Sequence, residues 1–145
     1  MKLTDVNLLL YAVDESAPRH EAARDWLESA LSGPETFALT WTVILAFLRL
    51  STNPRVFEAP MHPDEALDLV DSWLAQPAVT VVHPTDRHAA LLRDLLGPLG
   101  AAGNLTTDAH LAALALEHGA ELCSADADFS RFPGLRWVNP LDPRA

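Results

Sequence analysis

The sequence has little of what would anchor, export or cross-link a protein. Its single cysteine, Cys123, excludes an internal disulfide, and the apolar residues around it predict a buried thiol without a catalytic role. The longest strongly apolar stretch near the N-terminus, Val6 to Val13, is too short to cross a bilayer, and only Lys2 supplies the basic flank of a signal peptide. We therefore expect a cytoplasmic protein with no membrane partner.

Basic residues are scarce as well. Ten Lys and Arg stand against twenty Asp and Glu, which leaves a formal net charge of -10 at pH 7. This charge repels a phosphate backbone unless a cation intervenes, so it excludes a protein that coats nucleic acid through a basic patch. It does not exclude a metal-dependent nuclease, because there the metal ion carries much of the contact with phosphate.

Glycine-rich phosphate loops and helical zinc motifs are also missing. His83 with His88, and His110 with His118, lack the four-residue spacing of a zinc pair on a helix. We therefore disfavour zinc and expect the histidines on surfaces and at helix caps. The four tryptophans are spread along the chain and suit a core or a dimer interface better than a base-stacking platform.

Short β-branched or apolar segments alternate with helical patterns along the whole chain. Apolar residues recur at helical spacing from His20 to Leu31, whereas Val79 to His83 is short and β-branched, as in a strand. The alternation predicts an α/β fold of three layers, with a short central parallel sheet flanked by helices, in one domain over residues 1–145. Strands are predicted at residues 2–5, 36–39, 79–83, 121–124 and 136–138. Helices are predicted at residues 6–13, 20–31, 42–51, 63–75, 85–96 and 108–118, with Thr85 and Thr107 as helix caps. Loops are predicted at residues 59–63, 97–104 and 140–145.

Acidic residues lie at the edge where open parallel sheets bind ligands. Asp5 ends the first strand, Asp108 opens the last long helix, and Asp126 and Asp128 follow the strand after that helix. Carboxylates at close range repel one another and partly protonate unless a hard divalent cation neutralises them. We therefore predict a Mg²⁺ site, with Mn²⁺ as a possible substitute. Taken singly, each aspartate also suits a turn or the first turn of a helix, and that simpler interpretation stays open.

Several segments carry a resemblance to a known family. They are TDVNLLLYA at residues 4–12, NLTTDAHLAALA at 104–115 and SADADF at 124–129, and RLSTNPRVF at 49–57 is similar to one subgroup. In order and spacing this set resembles the PIN-domain family, specifically the VapC-type toxin ribonucleases of type II toxin-antitoxin systems. The resemblance implies a PIN-like fold and a Mg²⁺-dependent endoribonuclease that cleaves RNA, pairs with a VapB-like antitoxin and forms a homodimer.

The resemblance also implies roles for individual residues. Asp5 and Asp108 would be the principal metal ligands and catalytic residues, with Asp126 completing the site and Asp128 as a further ligand. Many family members have a glutamate in the helix after the second strand, where this chain has Phe47. Phe47 favours the alternative of a non-catalytic PIN-like interaction module, and a metal-dependent phosphatase-like hydrolase is a further alternative.

In the catalytic interpretation the metal lowers the pKa of a bound water and offsets charge on the reacting phosphate. Hydrolysis then needs no protein nucleophile. Asp126 could orient the water, and Asn7 could hold the loop that carries Asp5.

Four further residues have both a structural and a functional interpretation. The hydroxyls of Thr107 and Ser124 suit a helix cap and a hydrogen bond at a strand end, although they could also position a ligand. Arg49 and Arg55 could contact RNA phosphates, but surface arginines often only cover apolar neighbours.

Overall fold

The computed structural model describes residues 1–142 of the chain. In this part, short strands alternate with α-helices, and the predicted positions are confirmed to within a turn of helix. The strands are β1 (Lys2–Thr4), β2 (Phe37–Leu39), β3 (Val79–Val81), β4 (Glu121–Cys123) and β5 (Trp137–Val138). The helices are α1 (Val6–Val13), α2 (His20–Ser32), α3 (Trp41–Ser51), α4 (Pro63–Leu74), α5 (His88–Leu96) and α6 (Thr106–His118), with 3-10 turns at Gly97–Leu99, Gly103–Leu105 and Ala127–Arg131.

The strands form one sheet in the order β3-β2-β1-β4-β5, and every neighbouring pair is parallel. Helices α1 to α4 pack together as one group, and α5 packs on α6. Because parallel crossovers are right-handed, the connections from β1 to β3 and the return from β3 to β4 place their helices on opposite faces. The predicted three-layer α/β fold is confirmed. The carboxyl ends of β1, β2 and β4 meet at one side of the sheet, which we call the carboxyl edge.

Two helices start differently from the sequence prediction. Thr107 lies inside α6, which begins at Thr106 and has no side-chain cap. Its predicted role as the cap is wrong, because the 3-10 turn before the helix already places Leu105 in helical backbone geometry. Helix α5 begins at His88, so Thr85 is not its cap residue, although the Thr85 hydroxyl accepts a hydrogen bond of 3.2 Å from the Arg87 amide.

The core agrees with the sequence prediction at Cys123. The thiol is buried in β4, and burial, the largest cause, raises its pKa to about 12. It therefore stays protonated and unreactive at neutral pH.

No helix within residues 1–142 is long and apolar enough to cross a membrane. Of the loop predicted at 140–145, residues 143–145 lie outside the described part of the chain.

Candidate metal centre at the carboxyl edge

Three aspartates converge beyond the ends of the strands. Each of Asp108, Asp126 and Asp128 offers a carboxylate oxygen, and these oxygens all lie within 4.8 Å of one another. Asp108 lies in the first turn of α6, whereas Asp126 precedes the 3-10 turn after β4 and accepts a hydrogen bond of 2.9 Å from the Asp128 amide. All three are partly exposed and thus accessible to a cation. We call this group the acid cluster.

Asp5 adjoins the acid cluster but is held differently. It is the cap of α1, where its Oδ1 accepts a hydrogen bond of 2.7 Å from the Val6 amide. Its Oδ2 accepts one of 2.8 Å from the Ser124 hydroxyl, and the residue is only 8% exposed. A carboxylate has about four lone-pair sites, so both oxygens keep capacity for a cation. The sequence prediction made Asp5 a principal ligand, whereas the geometry groups Asp128 with Asp108 and Asp126.

Ser124 is the residue that organises these carboxylates. Its side chain is fully buried, donates to Asp5 and accepts hydrogen bonds of 3.0 Å from the Asp126 amide and 3.1 Å from Asn7 Nδ2. Asn7 also accepts a hydrogen bond of 3.4 Å from the Ala125 amide, so it joins the start of α1 to the loop after β4. With these contacts, the Ser124 hydroxyl orients carboxylates and is not directed at a ligand.

Burial and mutual repulsion both disfavour the charged carboxylates of the metal-free site. Burial and the neighbouring charges of Asp5, Asp126 and Asp128 raise the pKa of Asp108 from its ordinary value of 3.8 to about 6. Burial also raises the pKa of Asp5, and the charge of Asp126 adds to this, while hydrogen bonds from Ser124 and Val6 oppose it. A divalent cation would relieve the repulsion on both groups.

The donor set fits a hard cation. Within residues 1–142, each member of the acid cluster offers a carboxylate oxygen, and none offers a thiolate or an imidazole. Mg²⁺ and Mn²⁺ prefer oxygen ligands, whereas zinc in proteins usually takes nitrogen or sulfur. Asp108, Asp126 and Asp128, with Asp5 beside them, would hold such an ion.

Helix α3 contributes no acid to this site. Phe47 is fully buried and packs edge-on against Trp73, with ring centroids 4.8 Å apart. It is therefore a core residue. Arg49 lies two helical turns beyond Trp41, roughly 12 Å along the helix axis from the carboxyl edge, and Arg55 follows the end of the helix. Neither arginine is placed at the acid cluster. The structure therefore does not support the predicted contacts of Arg49 and Arg55 with RNA phosphates.

The histidines differ from the sequence prediction. His62 is indeed a helix cap, at the start of α4. His88 and His110 are instead partly buried, and their rings form a hydrogen bond of 2.9 Å between His88 Nε2 and His110 Nδ1. The expectation of surface or cap positions is wrong for this pair, because residues 22 positions apart in sequence meet only when α5 packs on α6.

Comparison with known proteins identifies the family of this chain. The PIN domain profile matches residues 2–135. Ribonuclease VapC37 of Mycobacterium tuberculosis is 45% identical over 140 residues, which cover 97% of each chain. Ribonuclease VapC33 of the same organism is 41% identical over 141 residues, or 97% of this chain and 99% of the relative.

A solved structure shows the same fold at low identity. The structure of VapBC2 from Rickettsia felis, bound to a DNA fragment from their promoter, contains a chain that is 17% identical and superposes with a TM-score of 0.70, covering 95% of this chain and 97% of that one. Both the sequence match over nearly the whole chain and the shared fold lead to one conclusion. The chain belongs to the PIN domain family, as a relative of the VapC ribonucleases.

Proposed function

We propose that this protein is a Mg²⁺-dependent endoribonuclease and the toxin of a toxin-antitoxin pair. The observation that carries the proposal is the acid cluster, in which oxygens of Asp108, Asp126 and Asp128 lie within 4.8 Å of one another beside Asp5. The names of the VapC relatives, which are ribonucleases, support RNA as the substrate. Mn²⁺ would substitute for Mg²⁺ because it accepts the same ligands.

In this mechanism the chain itself positions the reacting groups. When bound, Mg²⁺ offsets the negative charge that develops on the phosphate and makes water a better nucleophile. Asp108, Asp126 and Asp128, with Asp5 beside them, would hold the cation, while Ser124 fixes the orientation of Asp5 and the backbone of Asp126. The Asp128 amide donates to Asp126 Oδ1 and so fixes this carboxylate, which keeps lone pairs to orient the attacking water.

The decisive test is cleavage of a fluorescent, random-sequence RNA pool by the purified protein. We expect cleavage with Mg²⁺ or Mn²⁺ and none after chelation, because the repelling carboxylates cannot approach a phosphate without a cation. A small phosphate ester in a parallel reaction should stay intact. Hydrolysis of the ester alone would favour the phosphatase-like hydrolase, and binding of a partner without any hydrolysis would favour the non-catalytic interaction module.

Partner and location follow from the same proposal. We propose a VapB-like antitoxin as the protein partner, supported by the VapBC2 structure, which contains a chain with this fold. We also propose a cytoplasmic location, where RNA substrates occur, and a single domain over residues 1–145. Co-expression with the product of an adjacent short gene should yield a complex in which RNA cleavage is inhibited.

A homodimer is the assembly we propose, and α3 provides the surface for it. Trp41 and Leu45, one helical turn apart, are 50% and 60% exposed. A symmetric dimer would bury this apolar ridge, and a charge placed there would oppose association. We expect Leu45→Glu to shift sedimentation from dimer to monomer, whereas Leu67→Glu, at another exposed leucine on α4, should not. A wild-type protein that is monomeric at roughly tens of micromolar would contradict the proposal.

A further inference from the structure

A continuous chain of hydrogen bonds runs from the interior to the carboxyl edge. Glu117 Oε2 lies 2.8 Å from His88 Nδ1, His88 Nε2 lies 2.9 Å from His110 Nδ1, and His110 Nε2 lies 3.0 Å from the Thr42 hydroxyl. The chain crosses from α5 and α6 on one face of the sheet to α3 on the other. We call it the Thr42 relay.

The buried end of the relay sets the direction of every bond. The Glu117 side chain is fully buried, and although burial raises its pKa, hydrogen bonds from His88 and Thr85 outweigh this and hold the pKa below its usual value. A carboxylate can only accept, so His88 Nδ1 donates to it. When both imidazoles are neutral, each carries one N–H, so His110 Nδ1 donates to His88, and the Thr42 hydroxyl donates to His110. The Thr42 oxygen keeps its lone pairs for another partner.

Thr42 lies at the carboxyl edge of the sheet, the same edge as the acid cluster. It is in the first turn of α3, directly after β2, and β2 pairs with β1, whose end carries Asp5. Continuing the register of Leu3 with Ala38 places Asp5 level with Thr40, two residues before Thr42. At the other side of the contact, His110 follows Asp108 by two residues on α6. Thr42 is partly exposed.

A hydrogen-bond acceptor at the position of the Thr42 oxygen suits the ribose 2′-hydroxyl of the RNA backbone. Phosphate oxygens only accept hydrogen bonds, whereas the ribose 2′-hydroxyl can donate and is what distinguishes RNA from DNA. Hydrolysis by water does not use the 2′-hydroxyl, so a preference for RNA requires a recognition group. Helix α3 contains no acidic residue, and Thr42 supplies a hydroxyl oxygen in its first turn.

We propose that Thr42 is a specificity-determining residue that accepts a hydrogen bond from the 2′-hydroxyl of bound RNA. His110, His88 and Glu117 are positioning residues, which hold the threonine hydroxyl in the donating orientation that leaves its oxygen free. This role rests on the proposed function, since it concerns the choice between RNA and DNA at the same site.

The test compares cleavage of an RNA pool with that of DNA of the same composition, with Mg²⁺ at about pH 8, where ordinary imidazoles are neutral. Thr42→Val keeps the shape and removes the acceptor, so the RNA-to-DNA ratio of kcat/KM should fall about tenfold or more through the RNA rate alone. Thr42→Ser should retain the ratio. Thr80→Val, at an exposed threonine of β3, is the matched control and should also leave it unchanged. If Thr42→Val does not fold, Thr42→Ala carries the same comparison.

A second measurement does not depend on catalysis. In the metal-free wild-type protein, the ¹⁵N chemical shifts of the imidazole rings should show that both His88 and His110 are protonated at Nδ1. In Thr42→Val, the His110 Nε2 resonance should shift, whereas the proton on His88 Nδ1 should persist. His110→Phe should lower the RNA-to-DNA ratio although Thr42 is intact. A His110 protonated at Nε2, or an unchanged ratio in Thr42→Val, would overturn this role while leaving RNA cleavage intact. A wild-type protein that cleaves no RNA would overturn the proposed function and this role with it.

Discussion

Replacement of Asp108 by asparagine is expected to stabilise the metal-free protein near pH 7 while removing RNA cleavage and most of the stabilisation by Mg²⁺. The variant keeps the shape of the side chain and removes one charge from the acid cluster. Its metal-free stability should rise by about 1 kcal/mol, after allowance for the partial exposure of the side chain. Loss of one ligand and its charge should slow cleavage at least about a hundredfold.

The pH dependence of this effect has a defined sign. Because folding raises the pKa of Asp108 from 3.8 to about 6, the charged carboxylate destabilises the fold above that value. The cost fades as pH falls and Asp108 protonates. The stability advantage of Asp108→Asn should therefore be full at neutral pH and disappear as pH falls through about 6 towards 3.8. Thermal melts of both proteins across this range, with and without Mg²⁺, measure it.

Asp64→Asn is the matched control for this experiment. Asp64 lies in the first turn of α4, as Asp108 does in α6, but it is exposed and lies outside the acid cluster. A first-turn acid stabilises its helix through the dipole, so its removal should cost about 0.3–1 kcal/mol and leave the response to Mg²⁺ unchanged. If Asp108→Asn behaves like this control, Asp108 is only a helix-terminal acid and the metal site is wrong.

Replacement of Ser124 by alanine should weaken the fold and the metal site together. The buried hydroxyl bonds to Asp5, Asn7 and the Asp126 amide, and the variant leaves all of these groups without that partner. Loss of a hydrogen bond to a buried carboxylate should lower the free energy of unfolding by about 1.5–3 kcal/mol at neutral pH. The pKa of Asp5 should rise further, because the bond from Ser124 is what opposes the effect of burial.

The effect of Ser124→Ala on the metal is the sharper measurement. Groups that orient metal ligands typically contribute roughly 10- to 100-fold to affinity, so Mg²⁺ titration monitored by thermal shift should show a loss of that size. Ser130→Ala, at an exposed serine of the neighbouring 3-10 turn, should change neither stability nor Mg²⁺ affinity. Unchanged affinity in Ser124→Ala would show that Ser124 does not organise the site.

The sequence by itself determined the layers of the fold and predicted the edge of the sheet where the candidate site lies. The alternation of strands and helices depends on local periodicity, which the chain displays clearly, and parallel connections then bring Asp5, Asp108 and Asp126 to one edge. The resemblance of segments 4–12, 104–115 and 124–129 identified the family, and Phe47 was recognised as a departure from it. All of these inferences use neighbours in sequence or a general rule about parallel sheets.

Only the tertiary structure decided how the side chains are paired. Ser124 meets Asp5 across 119 positions, and Thr42 meets His110 across 68. Local pattern carries no information about such contacts, since they depend on the angles at which α3, α5 and α6 pack on the sheet. For the same reason the sequence could not show that Asp128 joins Asp108 and Asp126 within 4.8 Å, or that the buried Glu117 side chain contacts His88. Strand order brings the polar groups to one edge, but helix packing sets which of them touch.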